Sequence, residues 1–339
     1  MSRLPEYLKR PIIDTDKTKN VRRILRENCL NTVCESARCP NKNECYQKNT
    51  ATFLIMGNVC TRNCRFCNIS CEKPQPLDEN EPANVAKAVQ ELDLKYVVIT
   101  SVTRDDLSDG GAQHFAKCIE AVKCKVGRAY LPDNKYPSPE FQALVPRAEI
   151  LSSPARGEED NHSPIYPFTP SPQNGASPPT FHFTPIKVEI LTPDFKGDTK
   201  ALDTIIATSV DVFNHNIETV PRLYKIARPQ AIYQRSLDVL KYVKDNSNIL
   251  TKSGLMVGLG ETFEELEQAL TDLKNISCDI VTIGQYIQPS KEHLLVQKYY
   301  TLEEFEQLKV LAKKVGIKNY QIGPLVRSSY NASESCHLV

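Results

Sequence analysis

The 339-residue sequence contains no tryptophan, only three methionines and almost no net charge. Lysine and arginine number 42 against 41 aspartate and glutamate residues, and the balance of +1 argues against a nucleic-acid binder with a broad basic surface. No window approaches roughly 18 consecutive apolar residues, so we expect no membrane span. The first ten residues lack the apolar stretch of a targeting peptide. We therefore expect a cytoplasmic protein.

Cysteine is abundant and unevenly distributed. Seven of the twelve cysteines lie between Cys34 and Cys71. Such a cluster in a small secreted protein indicates a disulfide framework, but this chain is long and shows no secretion signal. Metal ligation is the better interpretation.

Short β-branched runs alternate with amphipathic helical patterns along most of the chain. This alternation predicts parallel strands joined by helical crossovers. Two predicted helices begin with capping boxes, Thr262 with Glu265 and Thr301 with Glu304. The pattern favours an α/β fold, a partial or full barrel, with a doubly wound sheet as the alternative. The six predicted strands are 52–56, 96–100, 187–191, 210–213, 254–257 and 279–283.

One segment departs from this pattern. Residues 124–185 contain 12 of the 23 prolines and show no helical or strand period. We predict a disordered insertion between a helix that ends near Lys123 and a strand that starts near Ile186. Such a connection lies at the end of a barrel opposite to the chemistry. A functional docking loop is the alternative.

The strongest motif is Cys60-Thr-Arg-Asn-Cys64-Arg-Phe-Cys67, directly after the first predicted strand. Three thiolates can hold three irons of a four-iron cluster and leave the fourth iron open to a small molecule. Zinc normally takes four closed ligands, and no fourth cysteine or histidine follows at a typical distance. Cys71 is near, but its spacing fits neither pattern well.

This motif resembles the fingerprint of the radical S-adenosylmethionine superfamily. The resemblance implies that the open iron binds S-adenosylmethionine, whose reductive cleavage generates a radical that abstracts hydrogen from an unactivated C–H bond. Phe66 could pack against the purine, although ordinary loop packing is equally plausible. Asn214 and Asn216 stand where the superfamily places polar groups near the ribose, or they are turn asparagines. The stretch 254–261, with Gly258 and Glu261, resembles the motif that runs along the adenosine.

A second triad narrows the family. Cys34, Cys39 and Cys45 have four and five residues between them, and this pairing with the first triad resembles lipoyl synthases. The stretches 102–111, 214–220 and 327–330 are similar to signatures of the same family. The resemblance implies that a second [4Fe–4S] cluster is held by this triad, and it points to Ser329 as the fourth ligand. A frayed tail is the alternative for residues 327–330.

The resemblance implies a partial (β/α)6 barrel with N-terminal and C-terminal extensions that carry an auxiliary cluster. The expected divisions are an N-terminal extension at 1–50, a barrel at 51–123 and 186–316, the insertion at 124–185, and a C-terminal segment at 317–339. Catalysis is expected at Cys60, Cys64, Cys67 and Ser329.

The activity implied is insertion of two sulfur atoms at C6 and C8 of an octanoyl group on a carrier-protein lysine. The implied cofactors are two [4Fe–4S] clusters and S-adenosylmethionine. The implied partners are octanoylated carrier domains (the E2 subunits of α-keto acid dehydrogenases and the glycine cleavage H protein), ferredoxin or flavodoxin, and iron–sulfur carrier proteins. No nucleic acid or membrane partner is expected.

Two other interpretations stay open at the level of sequence. A radical sulfur-inserting enzyme that acts on a free metabolite, in the manner of biotin synthase, would have a similar barrel but leaves the Cys34 triad unexplained. A non-catalytic iron–sulfur or zinc scaffold is the second, since any motif match carries some risk of a false positive.

Overall fold

The computed structural model describes residues 4–11, 15–127 and 186–336. The predicted insertion at 124–185 lies outside the described residues except for its first four. Those four continue a helix that runs to Gly127 rather than ending near Lys123, because the first proline of the segment is Pro132. In this described part of the chain, no helix is both long enough and apolar enough to cross a membrane.

The core of the fold is an eight-stranded sheet in the order β1-β2-β5-β6-β7-β8-β9-β10, in which all pairs are parallel except β1 with β2. Ile190 on β6, for example, pairs with Ile99 on β5 and with Phe213 on β7. Strands β3 and β4 form a separate two-stranded ladder. The strands are β1 (Asn31–Thr32), β2 (Thr52–Ile55), β3 (Val59–Cys60), β4 (Ser70–Cys71), β5 (Tyr96–Ser101), β6 (Lys187–Leu191), β7 (Val212–Asn214), β8 (Leu250–Val257), β9 (Ile280–Gln285) and β10 (Asn319–Ile322).

Helices connect the parallel strands, and capping residues mark where several of these helices begin and end. The Thr262–Glu265 and Thr301–Glu304 capping boxes form as predicted. Gly316, in a left-handed conformation, ends the last long helix. The helices are α1 (Asp16–Glu27), α2 (Val33–Ser36), α3 (Lys42–Gln47), α4 (Glu81–Glu91), α5 (Ala112–Gly127), α6 (Thr199–Ile206), α7 (Tyr224–Ala227), α8 (Tyr233–Asn246), α9 (Phe263–Asn275), α10 (Leu302–Val315) and α11 (Ala332–Cys336).

The sheet is curled rather than flat. Thr52 on β2 and Thr282 on β9 both line one cavity of about 400 Å³, although five strand-to-strand steps separate β2 from β9. In a flat sheet those steps would span about 24 Å. The short threonine side chains can reach the same cavity only if the sheet curves around it, which gives the predicted partial barrel.

All six predicted strands are present, and the structure adds β10 within the predicted C-terminal segment. The sequence pattern misses β10 because only Ile322 of its four residues is buried. Strand β8 also starts four residues earlier than predicted, at Leu250. Lys252 argues against a buried strand, but its ammonium group lies 3.0 Å and 3.1 Å from the two carboxylate oxygens of Glu189 on β6.

His215, which follows β7, generates a prediction about pH. Its ring is buried, with Nδ1 2.9 Å from the Thr192 carbonyl oxygen and Nε2 3.0 Å from the Ser236 hydroxyl. Burial lowers the pKa of His215 to about 4, and the nearby positive charge of Arg228 adds to this effect. Between about pH 6.5 and pH 4, this histidine is therefore protonated in the unfolded chain, where its pKa is near 6.5, but neutral in the folded chain.

Stability should accordingly fall as the pH drops from about 6.5 towards 4, by about 3 kcal/mol for this group. A His215→Gln variant should lose this part of the pH dependence. Denaturant unfolding of both proteins at pH 7 and pH 5 measures the difference. An equal loss of stability in the two proteins would contradict the assignment.

Candidate functional site

The cavity that the sheet curls around lies towards the carboxyl ends of the parallel strands, although Thr52, the first residue of β2, also lines it. It is lined from β6, β8 and β9 and by the segments that follow β7 and β9. Segments from both ends of the chain also line it. Seven of the twelve predicted site residues line this cavity: Cys34, Cys39, Cys45, Phe66, Cys67, Asn216 and Ser329.

The loop that carries the first triad begins after a turn at the end of β2. Met56 and Gly57 both adopt positive φ there, and Cys60 follows on β3. Several separate segments hold this loop. The Arg65 N–H donates to the Ala227 carbonyl at 2.8 Å, and the Leu294 N–H donates to the Arg65 carbonyl at 3.0 Å.

Further contacts fix the two ends of the loop. His293 Nε2 lies 2.9 Å from the Cys67 carbonyl oxygen. Arg62 is buried and makes a fork of hydrogen bonds to Asp105, with a third to Asp194 at 2.7 Å. Burial alone would raise the pKa of Asp194, but the bond from Arg62 overrides it and holds that pKa at about 2. Hydrogen bonds from several separate segments of the chain thus hold the cysteine loop in place.

The sulfur atoms of this loop are candidate iron ligands. Burial raises the pKa of Cys64 to about 11 and that of Cys67 to about 12, so iron must displace a proton from each thiol when it binds. The Cys60 sulfur accepts hydrogen bonds from the peptide N–H groups of Arg62 at 3.4 Å and of Thr103 at 3.3 Å. Donors aimed at a sulfur stabilise a thiolate, the form that binds iron. The residues therefore fit a four-iron cluster.

A single metal ion is a different case. Across residues 4–11, 15–127 and 186–336, no three histidine, cysteine, aspartate or glutamate side chains are arranged to hold one ion. In a four-iron cluster each thiolate binds its own iron, so the sulfurs lie further apart than around one ion.

The second triad lies on two short helices after β1. Cys34 is on α2, Cys45 is on α3, and Cys39 lies in the turn between them. Burial raises the pKa of both Cys34 and Cys45 to about 12, and the charge of Cys39 adds to each shift. All three cysteines line the same cavity, as the ligands of a shared cluster must.

The C-terminal segment folds back onto these helices. The Asn41 amide nitrogen donates to the Leu325 carbonyl at 2.7 Å, and the Tyr330 hydroxyl donates to the Glu44 carboxylate at 2.9 Å. Ser329, between these two anchors, lines the same cavity as the Cys34 triad. Its role as a ligand stays a prediction.

The predicted cofactor contacts divide into two groups. Asn216 lines the cavity. Its amide oxygen is buried with no hydrogen-bond partner among the described residues, which is typical of a group that binds a polar ligand. Phe66 also lines the cavity. Asn214 is not among the lining residues; its amide nitrogen donates to Glu189 at 3.1 Å.

Gly258 and Glu261 form a turn instead of lining the cavity. The Glu261 carboxylate accepts from the Gly258 and Leu259 N–H groups at 2.6 Å and 2.9 Å. Gly258 has φ +102°, and a Cβ there would lie 2.2 Å from the Gln285 amide nitrogen. The pair therefore shapes the end of β8, and a direct cofactor contact stays a prediction.

Sequence reasoning assigned no role to Glu218. Its carboxylate accepts from the Asn216 amide at 3.2 Å and it lines the cavity. Burial raises the pKa of Glu218, an effect that nearby Arg228 opposes. The available signal was its place in the 214–220 signature, two residues after Asn216.

Comparison with known proteins agrees with this geometry. A family model for the radical SAM superfamily matches residues 54–273, more than half of the chain. A lipoyl synthase from Caldanaerobacter subterraneus is 45% identical over 331 residues, which cover 97% of this chain and 96% of that protein. One from Coxiella burnetii is 44% identical over 332 residues, covering 97% and 87%. The chain belongs to the lipoyl synthase family.

Members of this family are radical SAM enzymes that insert sulfur, with S-adenosylmethionine and [4Fe–4S] clusters as cofactors. Structural neighbours are more distant. The crystal structure of methylornithine synthase gives a TM-score of 0.48 at 12% identity, covering 89% of this chain and 69% of that one. Such a likeness carries no weight in assigning the site.

Gly284 on β9 generates a prediction about the C-terminal segment of this lipoyl synthase family member. A Cβ on Gly284 would lie 2.0 Å from the Val326 carbonyl oxygen, so a side chain there must push the segment away. Gly284→Ala should cost about 1–3 kcal/mol and move Ser329 away from the Cys34 triad.

Limited proteolysis should cut the C-terminal segment of Gly284→Ala faster than that of the wild type. Gly323→Ala is the matched control, because a Cβ there meets Val326 only at an ordinary 3.5 Å. Equal protection of the segment in both variants would show that the close approach at Gly284 does not matter.

Proposed function

We propose that this chain inserts two sulfur atoms, at C6 and C8, into an octanoyl group that is amide-linked to a lysine of a carrier domain. The observation that carries the proposal is the shared cavity, which is lined by Cys67 from the first triad and by Cys34, Cys39 and Cys45 from the second. An enzyme that acts on a free metabolite, in the manner of biotin synthase, would leave the second triad without a role.

Cys60, Cys64 and Cys67 would hold the first cluster, and Asn216 and Phe66 would contact S-adenosylmethionine. When bound, the first cluster and S-adenosylmethionine would supply the radical that abstracts hydrogen from an unactivated C–H bond. The chain's own residues confine that chemistry. The cavity offers an alkyl chain the apolar side chains of Leu4, Leu8, Val33, Leu191, Leu255, Met256 and Ile287.

The Cys34 triad would hold the second cluster, which would supply the sulfur atoms. Ser329 would be its fourth ligand. A serine oxygen is a harder and less common iron ligand than a thiolate, so Ser329 would hold its iron less firmly than the three cysteines would hold theirs. That lability suits a cluster whose sulfides must be exposed to the substrate.

The proposed partners follow from this reaction. The substrates are octanoylated carrier domains of dehydrogenase E2 subunits and of the glycine cleavage H protein. Ferredoxin or flavodoxin would supply electrons, and iron–sulfur carrier proteins would rebuild the second cluster. A cytoplasmic location remains part of the proposal.

The proposal is tested with an octanoylated carrier peptide, incubated anaerobically with the iron-loaded enzyme, S-adenosylmethionine and a reductant. Mass spectrometry should show a peptide that has gained two sulfur atoms. Cys64→Ala should abolish formation of both 5′-deoxyadenosine and product, since the first triad then lacks one ligand. Cys39→Ala should still form 5′-deoxyadenosine but no sulfurated peptide. Sulfurated product from Cys39→Ala would contradict the donor role.

Ser329 provides a separate prediction. Ser329→Ala should weaken the second cluster and lower its iron content, whereas Ser329→Cys should keep the cluster but slow sulfur insertion, because a thiolate holds the iron more firmly. Iron analysis and product formation are measured together. If truncation after Val326 left both unchanged, residues 327–330 would be a tail with no part in the reaction.

A further inference from the structure

Arg62 lies inside the first cysteine motif but points away from solvent, into the protein. Its side chain is 4% exposed. Its Nε and Nη2 atoms donate to the two Asp105 oxygens at 2.7 Å and 2.9 Å, and Nη2 also donates to Asp194 at 2.7 Å. Asp105 follows β5 and Asp194 follows β6, so a single guanidinium ties the cysteine loop to two neighbouring strand ends. Bonds of this charge-assisted kind are roughly twice as strong as neutral ones.

Thr61 ties the same two segments through uncharged bonds. The Thr61 N–H and hydroxyl both donate to the Thr103 carbonyl at 3.0 Å, and the Asp105 N–H donates to the Thr61 hydroxyl oxygen at 3.0 Å. Residues 61–62 and 103–105 therefore form one connected unit, with the Arg62–Asp105 fork at its end.

This unit holds both of the peptide donors that reach Cys60. The Arg62 N–H and the Thr103 N–H point at the Cys60 sulfur from the two segments that the fork joins, at 3.4 Å and 3.3 Å. If the segments separate, the sulfur loses the Thr103 donor. If the Arg62 backbone turns, it loses the other donor.

We propose that Arg62, held by Asp105 and Asp194, is a positioning residue that keeps these two peptide N–H groups directed at the Cys60 sulfur. The inference rests on the proposed function, in which Cys60 is a cluster ligand. Hydrogen bonds to ligand sulfur help to set the reduction potential of an iron–sulfur cluster. They stabilise the added negative charge of the reduced state, so their loss lowers the potential.

Arg104 supplies a matched control on the same segment. It is also buried, and it makes the same kind of fork, with bonds to Asp106 at 2.9 Å and 2.8 Å. Its fork closes within its own segment. A further bond, from Arg104 Nη1 to the Met56 carbonyl at 3.5 Å, reaches the turn before the cysteine loop but not Thr61 or Arg62. Arg62→Lys and Arg104→Lys each keep the charge and lose one buried fork, but only the Arg62 fork joins residues 61–62 to residues 103–105.

The first measurement is amide hydrogen exchange of the anaerobically purified enzyme. Arg62→Lys should speed exchange in the peptides that contain Arg62 and Thr103 by roughly tenfold, whereas Arg104→Lys should leave the Arg62 peptide as in the wild type. This readout does not depend on whether a cluster cleaves S-adenosylmethionine. It can therefore uphold the inference even where the proposed function fails.

The second measurement is a redox titration of the iron-loaded enzyme, followed by the electron paramagnetic resonance signal that changes when S-adenosylmethionine is added. Arg62→Lys should lower the equilibrium constant for reduction roughly tenfold, which is about 59 mV for a one-electron couple. Arg104→Lys should keep the wild-type potential. The melting temperature of each variant records any general loss of stability.

Should Arg62→Lys fail to fold, Asp105→Asn replaces it, since this change removes one charge and keeps the bonds to Asp194. Unchanged exchange and an unchanged potential in the folded variant would overturn the proposal. So would equal shifts in Arg62→Lys and Arg104→Lys, because the effect would then be a general consequence of losing a buried fork.

Discussion

The site depends on the parallel pairing of the strands from β2 through β9, which brings their carboxyl ends to one edge of the sheet. The curl of the sheet turns that edge into a ring around a cavity. Residues from β2, β6, β8 and β9 then face the same space, although β2 and β9 are five steps apart in the sheet. Without the curl, the cysteine loop after β2 would lie far from the segments that follow β7 and β9.

Two segments outside the parallel strands complete the wall of the cavity. The helices that carry the second triad follow β1, which pairs antiparallel at the edge of β2. The C-terminal segment follows β10, which pairs at the other edge with β9. The segments that follow these two edge strands meet in the hydrogen bonds from Asn41 to Leu325 and from Tyr330 to Glu44. The contacts that bridge the gap between the two edges of the partial barrel therefore also bring Ser329 to the cavity that the Cys34 triad lines.

A pair of buried charges links β6 and β8 inside the sheet. Glu189 and Lys252 are fully buried, and such a pair is tolerated only when further hydrogen bonds offset the loss of hydration. Tyr96 and Asn214 provide those bonds to Glu189 at 2.7 Å and 3.1 Å. The network explains why Asn214 faces the core while Asn216, two residues further on, faces the cavity.

The sequence by itself determined the class of chemistry and most of the scaffold. The spacing of Cys60, Cys64 and Cys67 is local, and so are the period of the strands and the capping boxes, because each depends on neighbouring residues. What only the tertiary structure decided depends on partners distant in the chain. The contact of Ser329 with the cavity of the Cys34 triad requires closure across the barrel. The burial of Lys252 requires Glu189, and the hold of Arg62 on its loop requires Asp105 and Asp194. A charged residue in a sequence predicts a solvent-exposed side chain unless its partner is known. Only the fold shows which residue that partner is.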